Sequence, residues 1–190
     1  MLRTAKNLVL EYKKSVRYYK KHPFGKIAEN APLPTKAVAV VAYAKHGNGY
    51  KVLLLERAKT HRKWPGTFIF GAAETTRPME SSRRALFRGI REELPPIPKS
   101  KILGIRKLGL VKAKDVRAHY GLDAPFYALK LDFNMLVELA EKLKSNPEQF
   151  PEHNYVNIAR ASDLDKLKNI QPHYKKMLPE MKKLLFGGIK

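Results

Sequence analysis

No cysteine occurs among the 190 residues. That absence removes disulfide frameworks, thiolate zinc sites and every mechanism that uses a cysteine nucleophile or acid. Acids are scarce as well: 17 Asp and Glu stand against 38 Lys and Arg, a formal charge of +21. Such a chain repels itself when compact, and charge of that size points to a polyanionic partner. Nucleic acid is the commonest polyanion and is held through its phosphates whatever its sequence. Anionic lipid or acidic protein subunits are the alternatives. Long apolar runs are missing too, so no transmembrane segment is expected. The six histidines, His22, His46, His61, His119, His153 and His173, show no i, i+4 pairing. Metal-ligand spacing is therefore absent, and surface or capping roles are expected for them.

What is present suffices for one core, with 44% hydrophobic residues in a chain long enough for a single domain. Residues 1–34 read as a basic helix and Pro-containing connector, and residues 35–190 as the domain. The first 22 residues carry seven Lys or Arg and one acid, Glu11, with Leu2, Ala5, Leu8, Val9, Tyr12, Val16 and Tyr19 at helical spacing. Lys13, Lys14, Arg17, Tyr18, Lys20 and Lys21 fall in this segment. It is expected to dock on a partner, because an isolated helix is marginal in water. Packing on its own domain is the alternative. The segment has the character of a mitochondrial transit peptide, although such peptides are richer in Ser. Its character points to the mitochondrial matrix.

Beyond the connector, the runs 36–45 and 50–57 are β-type and flank Gly47, Asn48 and Gly49, a hairpin signal. TFIFGAA, residues 67–73, is a third strand candidate. Ser81 can cap a helix from about Ser82 to Leu94, which Pro95, Pro96 and Pro98 stop. KILGIRKLGLVKAK and APFYALKLDF read as strands. DFNMLVELAEKLKSN reads as a helix with Leu136, Leu139, Ala140 and Leu143 on one side. A strand NYVNIAR, a turn ASDLDKL and a helix HYKKMLPEMKKLLF follow, and Pro179 is expected to interrupt or kink that helix. This order implies a mixed sheet sandwiched by helices.

The stretch from Gly71 to Pro96, GAAETTRPMESSRRALFRGIREELPP, carries a specific pattern. It resembles the box of the Nudix superfamily, G-x5-E-x7-R-E-U-x-E-E-x-G-U with U aliphatic, laid without gaps on positions 74–96. Glu80, Arg88, Ile90, Glu92 and Glu93 match. The leading Gly is Glu74, the Glu after the Arg is Gly89, and the closing Gly and aliphatic are Pro95 and Pro96. Upstream, Trp64, Pro65, Gly66 and Phe68 resemble the branch that includes isopentenyl-diphosphate isomerase. That branch would place a cysteine at Ala73 and a histidine at Thr75, so isomerase chemistry is excluded. The resemblance implies a Nudix-like α/β/α sandwich with a mixed sheet.

The box chemistry needs carboxylates that converge on divalent cations, which neutralise a diphosphate before water attacks it. Positions three and four apart share a helix face, so the Glu after the Arg joins the last two. Here that Glu is Gly89, which has no side chain. Glu74 is expected to strain or reroute the loop in which a Gly normally sits. Pro95 and Pro96 replace the left-handed residue that normally ends the helix. The expectation is a vestigial box with no catalytic residue, metal or cofactor.

Positive charge is not confined to the terminus. Residues 99–120 hold seven Lys or Arg and one acid, Asp115. Arg57, Lys59, Arg62, Lys63, Lys101, Arg106, Lys107, Lys112, Lys114 and Arg117 are candidates to track a phosphate backbone, or else form an ordinary Lys-rich surface. The stretch VNIARASDLDKLKNIQPHYKKMLPEMKKLL resembles the ending of the Nudix-like subunits of mitochondrial large ribosomal particles. Lost catalysis and high charge together imply a catalytically inactive structural subunit of a mitochondrial ribonucleoprotein, the large ribosomal subunit first, contacting rRNA and neighbouring subunits. The rivals are an accessory subunit of a mitochondrial membrane (respiratory) complex and an active Mg-dependent diphosphohydrolase.

Overall fold

β1 (Ala37–His46) is rich in Val and Ala, and seven of its ten side chains are buried. It is the middle of a seven-stranded mixed sheet in a computed structural model that describes residues 37–60, 64–77, 80–111 and 124–186. A strand buried on both faces must be apolar at every position, which explains the continuous AVAVVAYA run. β2 (Gly49–Arg57) returns antiparallel from β1. Gly47 takes φ 58° at the first position of the two-residue loop, the conformation such hairpins require.

The expected third strand over residues 67–73 divides in two. β3 (Phe68–Ile69) pairs with β2, and β4 (Ala73–Thr75) pairs with β1. Gly71 between them has φ 155°, and a Cβ there would lie 2.5 Å from the Val40 carbonyl oxygen. No side chain fits that approach, so the chain crosses from one neighbour to the other at this glycine.

Helix α1 (Ser82–Glu93) starts where expected, with the Ser81 hydroxyl accepting from the Arg84 N–H. β5 (Ile102–Val111) and β6 (Ala124–Leu131) form an antiparallel pair, and β6 lies parallel to β1. α2 (Phe133–Ser145) is capped by the Asp132 carboxylate and buries Leu136, Leu139, Ala140 and Leu143, as its spacing predicts. β7 (His153–Arg160) pairs with β2. A 3-10 turn at Ala161–Lys166 leads to α3 (Pro172–Phe186). Pro179 does not interrupt α3, which runs through it as one helix with the proline on its exposed side.

The backbone path β3-β2-β1-β6-β5, with β4 and β7 attached, is the expected sandwich. Tyr174 of α3 is fully buried, with its ring edge-on to Phe70 and Phe126. Its hydroxyl donates toward the carbonyls of Ala72 and Val40, at 3.0 and 3.3 Å. The C-terminal helix thereby holds the segment before β4 against β1. Residues 1–36, including the expected basic helix, lie outside the described residues.

Candidate functional site

α1 turns Ala85, Leu86, Gly89 and Ile90 inward against β1 and β4, and Arg88 is buried with them. A buried guanidinium must have its donors satisfied. Arg88 Nε donates to Glu80 Oε1 at 3.1 Å, and Nη2 donates to Glu80 Oε2 and the Thr75 carbonyl at 2.9 and 2.7 Å. Nη1 faces Glu74 Oε2 at 2.9 Å and Glu92 Oε2 at 3.1 Å. Three acids of the box region thus converge on one arginine. This bonding, with the Glu80 contact foremost, raises the guanidinium pKa further and lowers that of Glu80.

Glu74 does not strain the loop. It is part of β4 and has no positive φ among the described residues; the glycine that the chain path needs is Gly71. Glu74 instead explains Gly89. A Cβ at position 89 would stand 2.8 Å from the Cβ of Glu74, closer than real carbon atoms approach. The residue aligned with the first Gly of the box thus occupies the space next to the residue aligned with the Glu after its Arg. Burial pushes the Glu74 carboxyl upward, as does the neighbouring Glu92, against the pull of the Thr75 N–H and Arg88.

Glu93 follows a different course from its neighbour. Its carboxyl accepts from the Ala73 N–H, at 3.3 and 3.2 Å. Burial first, and then the nearby Glu152, push it well above the ordinary carboxylate range. Glu74, Glu92 and Glu93 line one cavity of about 280 Å³ together with Arg57, Glu152 and His153. Glu92 is drawn to Arg88 and lies 3.6 Å from Arg77. Among the described residues no three Asp, Glu or His side chains are arranged to hold a metal ion. The donor set of the Nudix chemistry therefore does not fit here as it stands: Gly89 contributes nothing, Glu80 is bound to Arg88, and Glu93 is turned to a backbone amide.

Several expected positions need correction. Arg57 is not part of a basic surface; it is buried in the cavity wall, 3.4 Å from Glu152. His153 and His173 are buried, not surface histidines. His153 lines the cavity, and His173 packs edge-on to Trp64, where burial lowers its pKa. Lys59, Lys101, Arg106 and Lys107 are exposed as expected. Arg62, Lys63, Lys112, Lys114 and Arg117 lie outside the described residues, as do Lys13, Lys14, Arg17, Tyr18, Lys20 and Lys21. Sequence spacing missed the contribution of Glu152, which comes from the turn before β7. The QFPEH stretch gave no signal of its own.

No family model matches the chain, and no curated protein matches it. Solved structures do. The Nudix domain of Shewanella oneidensis NrtR, complexed with ADP ribose, is 14% identical, with a TM-score of 0.57 over 88% of this chain and 97% of that one. A MutT/Nudix family protein from Listeria innocua gives 0.60 at 14% identity, over 80% and 94%. An Ap4A hydrolase from C. elegans gives 0.55 at 19% identity, over 80% and 98%. At these identities the likeness concerns the backbone. With the mixed sheet, the helix after β4 and the terminal helix all in place, the chain has the Nudix fold.

Proposed function

We propose that this protein is a catalytically inactive Nudix-fold structural subunit of a ribonucleoprotein of the mitochondrial matrix, with the large ribosomal subunit first among candidates. In that role it contacts rRNA and neighbouring proteins and carries no metal or cofactor. One observation carries the loss of chemistry: Gly89 has no side chain and no room for one, because Glu74 fills the space. The charge of +21 supplies the polyanion half. The basic, apolar-striped first 22 residues support the mitochondrial address.

The test has two arms. RNA binding by the purified protein should weaken steeply with salt, because each neutralised phosphate releases a counterion. Incubation with Mg2+ and either ADP-ribose or diadenosine tetraphosphate should give no turnover above the protein-free rate.

A hydrolase remains the second reading, favoured by the cavity in which Glu74, Glu92, Glu93 and Glu152 meet. Mg2+-dependent turnover abolished by Glu93→Gln would establish it and overturn the first.

A further inference from the structure

β5 is the last strand of the sheet, so one of its edges has no neighbouring strand among the described residues. An open edge ten residues long presents alternate N–H and C=O groups ready to pair with another chain. Edges of this kind are normally covered or made polar. β5 instead exposes three large apolar side chains, Leu103 at 58%, Ile105 at 37% and Leu110 at 48%.

The register assigns them to faces. Ile102, Ile105, Lys107 and Leu110 align with Leu131, Leu129, Tyr127 and Pro125, alternate residues of β6. Gly104, Arg106, Gly109 and Val111 occupy the other face, which α3 covers: a Cβ on Gly109 would lie 3.1 Å from Met177. Leu103 sits where the register shifts, at the end of the edge. Ile105 and Leu110 therefore face away from α3, with Lys107 between them and Arg106 behind.

Apolar and cationic groups together narrow the occupant. RNA phosphates would satisfy Arg106 and Lys107 but leave the Leu and Ile surface in water. A second copy paired antiparallel about the strand's centre would set Arg106 against the copy's Lys107 and Lys107 against its Arg106. The chain's own first 22 residues, with seven cations and one acid, meet the same repulsion. We propose that the open edge of β5 takes up an extended segment of another protein, in which carboxylates and apolar residues alternate, as an added strand. The backbone would supply affinity, the apolar residues would lie on the side of Ile105 and Leu110, and Arg106 on the opposite side would select for the acids. This surface is separate from the cavity and holds whether or not the protein contacts RNA.

The test uses the full-length protein and fluorescein-labelled decapeptides at physiological salt, read by anisotropy. A peptide of alternating Glu and Val should bind, and one of alternating Lys and Val should bind at least about tenfold more weakly. Joint Arg106→Glu and Lys107→Glu substitution should reverse that order, whereas Lys175→Glu with Lys176→Glu on α3 should leave it unchanged. Leu103→Asn with Leu110→Asn should weaken binding. Methylation of alternate amides in the Glu/Val peptide should abolish binding, which separates strand pairing from attraction to a basic protein. Binding that survives methylation, or that responds equally to both charge reversals, overturns the proposal. So does no binding, or sedimentation of the free protein as a dimer that Leu103→Asn with Leu110→Asn dissociates.

Discussion

Replacing Gly89 with Ala adds one methyl group at the point where helix and strand touch. In an open helix that change stabilises by about 1 kcal/mol. Here the new Cβ would stand 2.8 Å from the Cβ of Glu74, an atom fixed by the backbone of β4 and not by a side-chain rotamer. Normal carbon contact is about 3.5–4.0 Å, so α1 and β4 must part by roughly an ångström. That movement loosens the 2.9 Å contact between Arg88 and Glu74. Overpacking of this kind costs about 1–3 kcal/mol. The net expectation is a destabilisation of about 0–2 kcal/mol. Converting Glu74 to Gly removes the opposing Cβ, and in that background Gly89→Ala should regain its stabilising sign. The difference between backgrounds, about 1–3 kcal/mol, measures the coupling. Urea unfolding of the four proteins gives it directly, provided the slopes agree. If Gly89→Ala stabilises equally in both backgrounds, the close contact is not what keeps glycine at this position.

Other outcomes follow from the same region. Arg88→Lys keeps the charge but loses the planar fork that serves Glu80, Glu74, Glu92 and the Thr75 carbonyl. It should destabilise by about 1–3 kcal/mol in thermal or urea unfolding, because the buried cation loses directed hydrogen bonds to three part-exposed acids and a carbonyl. Tyr174→Phe removes a buried donor to the Ala72 and Val40 carbonyls and should cost about 1–2 kcal/mol, read as a lower urea midpoint. Glu93 has a folded pKa raised above its unfolded one, so the folded state holds the proton more tightly. Its contribution to stability is greatest below about pH 4.3 and falls as pH rises toward the folded value. Glu93→Gln should flatten that decline in a series of urea titrations across pH, and a decline of unchanged slope would count against a Glu93 carboxyl whose pKa is raised by the fold.

Elements whose patterns are local were readable from sequence. The Ser81 cap, the apolar side of α2 and the hairpin glycine each depend on residues within a few positions of one another. The division of residues 67–73 into two strands was not legible, because it depends on the Val40 carbonyl, which comes from a different strand. The box letters could be aligned one by one, but not the pairing of Glu74 with Gly89, fifteen positions apart on different elements. Each looked like an independent loss, whereas in the fold they fill a single space. Arg57 was misplaced for a related reason: its charge suggested solvent, and its partner Glu152 lies nearly a hundred residues later. Burial of a charge is decided by the partner, and partners at long range leave no periodic trace.

The parallel pairing of β1 with β6 has a consequence for the order of events during synthesis. Ala39 to Tyr43 find their central neighbours at Phe126 to Lys130, roughly 90 residues further along the chain. At about 5–20 residues per second, a nascent β1 waits on the order of ten seconds for that partner. During the wait the β1–β2 hairpin can close, but the other edge of a Val-rich strand stays open. Tyr174, which fixes the segment before β4, arrives later still. The innermost strand is thus among the first made and the last enclosed, and nascent chains stalled before Ala124 should be the ones that aggregate or engage chaperones.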